Sequence, residues 1–187
     1  MQTFFFGSAS VRWCRAGCQK LQEQDFRGAV RAFSESLAIA PAFEAYHNRA
    51  SAHYRLQNYE QAILDYEQAI ALSPDTVESY LGLGIVYTKK EEYEAAAQSY
   101  TQALRLQPRH PVLFTNRGYV YLQQGHYTEA QRDFDQALRF DPLNAMAYCN
   151  RGTARYHLGH PVQALSDWQM ALDLGFEEAE DLIQKYS

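Results

Sequence analysis

Apolar residues along this chain return every three to four positions in short blocks, and polar residues fill the opposite face of each block. That spacing is helical, and the blocks come in pairs separated by polar turns. It predicts first helices over 10–23, 43–56, 77–90, 111–124 and 145–158, and second helices over 26–39, 59–72, 93–106, 127–140 and 161–174. Pro111 and Pro161 fall in first turns, where a missing N–H costs nothing, and so support these starts. Beyond residue 176, Ala179, Leu182, Ile183 and Tyr186 share one face while Glu177, Glu178, Glu180 and Asp181 take the other. The segment 177–187 therefore reads as a short amphipathic helix that covers the apolar side of the last pair.

The pairs repeat. Prolines stand at Pro41, Pro74, Pro108 and Pro142, at intervals of 33, 34 and 34 residues. Aligned on them, position 8 of every unit is small (Gly17, Ala50, Gly84, Gly118, Gly152), and position 20 is always alanine (Ala29, Ala62, Ala96, Ala130, Ala164). Small residues at both places let the two helices of a hairpin approach closely. Position 24 is always aromatic (Phe33, Tyr66, Tyr100, Phe134, Trp168) and position 27 is small again (Ser36, Ala69, Ala103, Ala137, Ala171), which suits packing between successive hairpins.

This pattern of small residue, aromatic, alanine and proline in a 34-residue frame resembles the tetratricopeptide repeat family, over residues 10–176 and in five units. Two positions depart from it: Lys20 stands where an aromatic is usual, and Gly175-Phe176 where proline is expected. The resemblance implies an all-α, right-handed superhelical solenoid of five antiparallel helix pairs (10–42, 43–76, 77–110, 111–144, 145–176), closed by the capping helix 177–187. Residues 1–9 form a leader, in which Phe4-Phe5-Phe6 is either a cover for the opposite end or a loose segment. The resemblance also implies that the first helices line a concave groove.

Composition narrows the function. A chain with 47% hydrophobic and 14% aromatic residues can bury a core, and six prolines and ten glycines are too few for a turn-rich sheet protein. Net charge is −5 and the 17 Lys and Arg are scattered, so there is no basic stripe for a phosphate backbone and nucleic acid is not the expected partner. No apolar run reaches the ~20 residues that span a bilayer, and the start lacks the layout of a signal peptide. Three cysteines without framework spacing point to a reducing compartment, the cytoplasm.

Motifs for catalysis are missing: no nucleophile elbow, phosphate loop, HExxH or CxxC occurs, and an enzyme is not expected. Gly82-Leu83-Gly84 looks like half a dinucleotide fingerprint but lies mid-helix with no strand before it. Cys14 and Cys18 share a helix face, and His47 holds the place of Cys14 one hairpin later, yet a fourth ligand is lacking because Ser51 occupies it. They read as structural residues, and no metal or other cofactor is expected.

The most informative motif is Asn-Arg at positions 6 and 7: Asn48-Arg49, Asn116-Arg117 and Asn150-Arg151. Each unit with this arginine carries Asp at position 23 (Asp65, Asp133, Asp167), and the units without it do not, which predicts ion pairs inside hairpins. By the resemblance, position 6 faces the groove, so Asn48, Asn116 and Asn150 can offer amides to a peptide backbone. Leu81, Ile85, Tyr119, Tyr54 and Tyr156 supply an apolar centre and flanks. The grip on a C-terminal carboxylate known in this family needs lysines where Glu44 and Glu78 stand here, and is not expected. The expected function is a protein-protein interaction module that binds a peptide or protein segment in its groove, as an adaptor or assembly factor. The alternative is a structural subunit that self-associates through its end faces, with the monomer favoured.

Overall fold

In the computed structural model, which describes the backbone of residues 3–186 and the side chains of residues 9–186, every element is a helix. In chain order they are α1 (Thr3–Gln22), α2 (Phe26–Ile39), α3 (Phe43–Arg55), α4 (Tyr59–Leu72), α5 (Val77–Lys89), α6 (Tyr93–Leu106), α7 (Pro111–Gln123), α8 (Tyr127–Phe140), α9 (Ala145–His157), α10 (Pro161–Asp173) and α11 (Glu178–Tyr186). The bounds of α2 to α10 lie within one residue of those read from the sequence. The first helix differs: α1 begins at Thr3, so residues 3–9 of the expected leader are helical. A covering role for Phe4-Phe5-Phe6 lies outside the residues whose side chains are described.

Local chemistry sets the ends. Each turn inside a hairpin holds one residue in the left-handed region at the same repeat position: Gln24, Gln57, Glu91, Gly125 and Gly159, with φ of 59°, 61°, 62°, 76° and 81°. A side chain is strained there and glycine is not, so the last two turns use the residue that suits the geometry. Asp25 caps α2 by accepting from the Gly28 N–H at 2.8 Å, and Asn144 caps α9 by accepting from the Ala147 N–H at 3.0 Å.

Two compact units divide the chain, Met1–Lys90 and Glu91–Ser187. In the first, α1 to α4 form two hairpins and α5 packs on α4. Phe33 fills a pit above Gly17, where an added Cβ would lie 2.6 Å from the ring, and shares a cluster with Ala45 and Ala52 of α3. Tyr66 packs with Ala50 and Ala62 of its own hairpin and with Leu83 and Val86 of α5. In the second unit, Phe134 sits over Gly118 and packs with Ala147 and Ala154 of α9, while Trp168 sits over Gly152. Phe33 and Phe134 thus work inside their hairpins as well as between them, because the glycine of the facing helix leaves a hollow that the ring fills. Gly152→Ala is expected to cost about 1 to 3 kcal/mol, since a Cβ there would meet the Trp168 ring at 2.7 Å and the Ala164 carbonyl oxygen at 3.0 Å. Urea unfolding of the variant checks this, and an unchanged midpoint would show that the pit accommodates a methyl.

Helix α11 lies on α10, with Ala179 fully buried and Leu182, Ile183 and Tyr186 packed on the cluster of Cys149, Ala164, Trp168 and Ala171. Its acidic residues Glu178, Glu180 and Asp181 stay exposed.

Candidate functional site

The three arginines of the Asn-Arg motif are fully engaged inside the protein. Arg49 donates from Nε and Nη2 to both carboxylate oxygens of Asp65 at 2.8 and 2.7 Å. Arg117 does the same to Asp133 at 2.7 and 2.8 Å, and Arg151 to Asp167 at 2.9 and 2.7 Å. These are two-point forks on buried carboxylates, the geometry in which guanidinium and carboxylate match best. The remaining Nη1 of each reaches back to the preceding hairpin: Arg49 to Ser34 Oγ at 2.9 Å, Arg117 to Thr101 Oγ1 at 3.0 Å, and Arg151 to Asp135 Oδ1 at 2.7 Å. One guanidinium thereby ties its own hairpin and staples it to the previous one. Sequence reading finds the first link and misses the second, whose only signal is a hydrogen-bonding residue at position 25 (Ser34, Thr101, Asp135) ahead of each such arginine. The junction between α4 and α5 has no arginine staple, because Leu83 stands in the arginine's place and packs with Tyr66.

The asparagines next to them are left open. Asn48, Asn116 and Asn150 are half-buried on α3, α7 and α9. Among the described residues, Asn116 and Asn150 make no side-chain hydrogen bond, and Asn48 makes only a weak contact from Nδ2 to Cys18 Sγ at 3.9 Å. An amide has two donors and an acceptor, so each offers hydrogen-bonding capacity that the fold does not use.

In the first unit Asn48 opens onto a cleft of about 490 Å³ between α1, α2 and α3, walled by Ser10, Val11, Cys14, Cys18 and Ala42, with Arg15 and Glu44 at its charged rim. Burial pushes the Cys14 thiol up, and neighbouring Cys18 and Glu44 add to the shift, so it is held as a neutral, weakly nucleophilic group. His47 turns away from the two cysteines and pairs through Nδ1 with Ser79 Oγ at 2.9 Å, and burial lowers its pKa. Among the described residues no three His, Cys, Asp or Glu side chains gather closely enough to hold a metal ion.

Leu81 and Ile85 are half-buried on α5 of the first unit, and Tyr54 packs against the Tyr66 cluster and Tyr59. In the second unit Tyr119 is exposed on α7. Tyr156 is half-covered: the Tyr186 ring of α11 lies 4.2 Å from it, with Trp168 at 5.9 Å. Tyr119, 37% exposed, is thus the most open of the three, and the fold uses more of Tyr54 and Tyr156 for packing.

Comparison with known proteins agrees with this architecture. Tetratricopeptide repeat family models match residues 14–75 and 47–111 and residues 99–132, and a TPR repeat model matches residues 118–159. Small glutamine-rich tetratricopeptide repeat-containing protein 2 of Saccharomyces cerevisiae is 33% identical over 69 residues, 36% of this chain and 20% of that protein. Sperm-associated antigen 1 of Homo sapiens is 32% identical over 71 residues, 38% of this chain and 8% of that protein. Protein SGT1 homolog of Oryza sativa subsp. japonica is 36% identical over 63 residues, 33% of this chain and 17% of that protein. The matches thus span a fifth or less of these relatives. Among solved structures, the MamA protein superposes with a TM-score of 0.84 at 22% identity, over 93% of this chain and 96% of that one. YrrB, a TPR protein with an unusual peptide-binding site, gives 0.79 at 19% identity, over 89% and 86%. Among the described residues no helix is long and apolar enough to cross a membrane.

Proposed function

The chain belongs to the tetratricopeptide repeat family, and from that premise we propose that it is a non-catalytic protein-interaction module whose first helices receive an extended or helical segment of a partner protein. The observation that carries this reading is the contrast within the Asn-Arg pairs. Each arginine is consumed by the fold, whereas Asn116 and Asn150 keep unused donors and acceptors on a solvent-facing side of α7 and α9. A peptide backbone satisfies such amides whatever its side chains, and the adjacent Tyr119 gives it apolar area. On the first unit Asn48 with its cleft, and Leu81 with Ile85 on α5, offer the same combination of amide and apolar surface. A solved structure of this fold with a peptide-binding site supports the class of ligand. Three unpaired cysteines favour a reducing compartment, and the cytoplasm is the location we assign.

Panning a random peptide library on the immobilised chain, then titrating the enriched peptides calorimetrically, tests the proposal. The variant Asn116→Ala/Asn150→Ala should fold like the parent and bind about 1 to 3 kcal/mol more weakly in total. Leu81→Ser/Ile85→Ser should weaken peptides that use the first unit. Full affinity in both variants would place binding elsewhere. Exposed Val11 and Trp13 on α1 favour one other reading, self-association through that helix, which sedimentation would reveal as a stable oligomer.

A further inference from the structure

We propose that the first unit carries a second docking site, away from the first-helix face, that takes an acidic side chain of a partner peptide in the cleft where α2 meets the α3–α4 turn. The cleft measures about 360 Å³ and is lined by Arg27, Val30, Arg31, His53, Leu56 and Asn58. None of these is acidic. Arg27 and Arg31 stand one turn apart on α2, both exposed, and among the described residues neither makes an ion pair or a side-chain hydrogen bond. They contrast with Arg49, which is tied to Asp65, and with Lys20, which is held by Glu23 and Asp25. Arg31 also acts at a distance on the Asp25 carboxylate, but neither guanidinium has a hydrogen-bonded partner, and two of them on one face of a helix can close on one carboxylate from two sides.

The surroundings suit an anion. Asn58 occupies the cap position of α4, yet its side chain forms no cap bond and instead donates to His53 Nδ1 at 3.5 Å. Glu60, the acidic residue of that first turn, is turned to Lys90 at 3.4 Å. Burial lowers the His53 pKa, with Arg49 adding to the shift, and outweighs the upward pull of the Asp65 carboxylate 4.0 Å from Nε2, so the ring is a neutral wall and the arginines supply the charge. Val30 and Leu56 give the methylenes of an acidic side chain an apolar floor. Charge along the chain agrees: residues 1–42 hold five Lys and Arg against three Asp and Glu, on a chain whose net charge is −5. The first unit as a whole holds nine Lys and Arg against nine Asp and Glu, whereas residues 91–187 hold eight against thirteen, so an acidic segment meets less repulsion on the first unit.

Fluorescence anisotropy at low salt with labelled hexaglutamate, and with a phosphoserine peptide of the same length, tests the site and separates the two anions. Hexaglutamate should bind the parent, and Arg27→Gln/Arg31→Gln should weaken it about tenfold or more, with circular dichroism confirming that the exposed changes leave the helices intact. Arg132→Gln/Arg139→Gln, an equal loss of charge on exposed α8 positions, should bind like the parent. The first-helix variant Asn116→Ala/Asn150→Ala should also be unaffected, which keeps this proposal separate from the one above. Binding of neither peptide, binding of the phosphoserine peptide alone, equal binding by Arg27→Gln/Arg31→Gln, or an equal loss in the α8 control would overturn it.

Discussion

Replacing Arg117 by alanine should destabilise the protein by about 3 to 5 kcal/mol at neutral pH, because it strands a buried carboxylate. Asp133 is 5% exposed and its two oxygens are held by Arg117 Nε and Nη2. Burial already pushes the Asp133 carboxyl up, with Arg117 pulling it back, so removing the guanidinium leaves the upward push unopposed. A carboxyl whose folded pKa lies above its unfolded value favours folding when protonated, and that contribution is lost as pH rises through the folded value. The deficit of Arg117→Ala should therefore be largest at neutral pH and shrink on acidification. Urea unfolding of parent and variant at both conditions checks the sign, and a deficit that stays constant would mean Asp133 is not left as an uncompensated charge. Arg117→Ala/Asp133→Ala should recover part of the loss, since an apolar pair at such a site is often tolerated. The coupling from this cycle should exceed the ~0.2 to 1 kcal/mol of exposed pairs. Part of it will belong to the staple on Thr101 Oγ1, which also disappears with the guanidinium.

Deleting residues 178–187 should lower stability by a comparable amount, about 3 to 5 kcal/mol, if half-buried large side chains contribute roughly half of the ~1.5 to 3 kcal/mol of fully buried ones. Leu182, Ile183 and Tyr186 are such side chains on the Trp168 cluster, and Tyr186 adds ring contacts to Tyr156 at 4.2 Å and Trp168 at 5.6 Å. The shortened chain would present Trp168, Tyr156 and Leu172 to water and should lose solubility. Because repeat stability is built from nearest-neighbour contacts, hydrogen exchange should rise in α9 and α10 and change little in α7 and α8. A shortened chain with the parent's melting temperature would refute the covering role of α11.

Much of the fold is legible before any coordinates, and the reason is local. Helix starts at Pro111 and Pro161 and the repeated small residues at positions 8 and 20 follow from short-range backbone chemistry and from which face of a helix is apolar. The Arg-Asp pairs are legible too, since charges that occur together at positions 7 and 23 in three units mark a contact that the hairpin itself enforces. The start of α1 is not, because residues 3–9 have no counterpart in the other repeats to align with.

Only the tertiary structure decides which groups remain free. Position 25 holds Ser34, Thr101 and Asp135, three different side chains, and only the packing of one hairpin on the next turns all three into the third partner of an arginine. Asn150 and Tyr156 lie on the same helix, but Tyr186 comes back from α11 to cover one and leaves the other open. Arg27 and Arg49 look alike in the sequence, yet one is spent on a buried carboxylate of α4 and the other faces an open cleft. The repeat sets which helix face a residue occupies, since that depends on a few neighbouring backbone hydrogen bonds. Whether its polar atoms are used depends on side chains a dozen or more positions away in sequence, which only the packed chain brings within hydrogen-bonding reach.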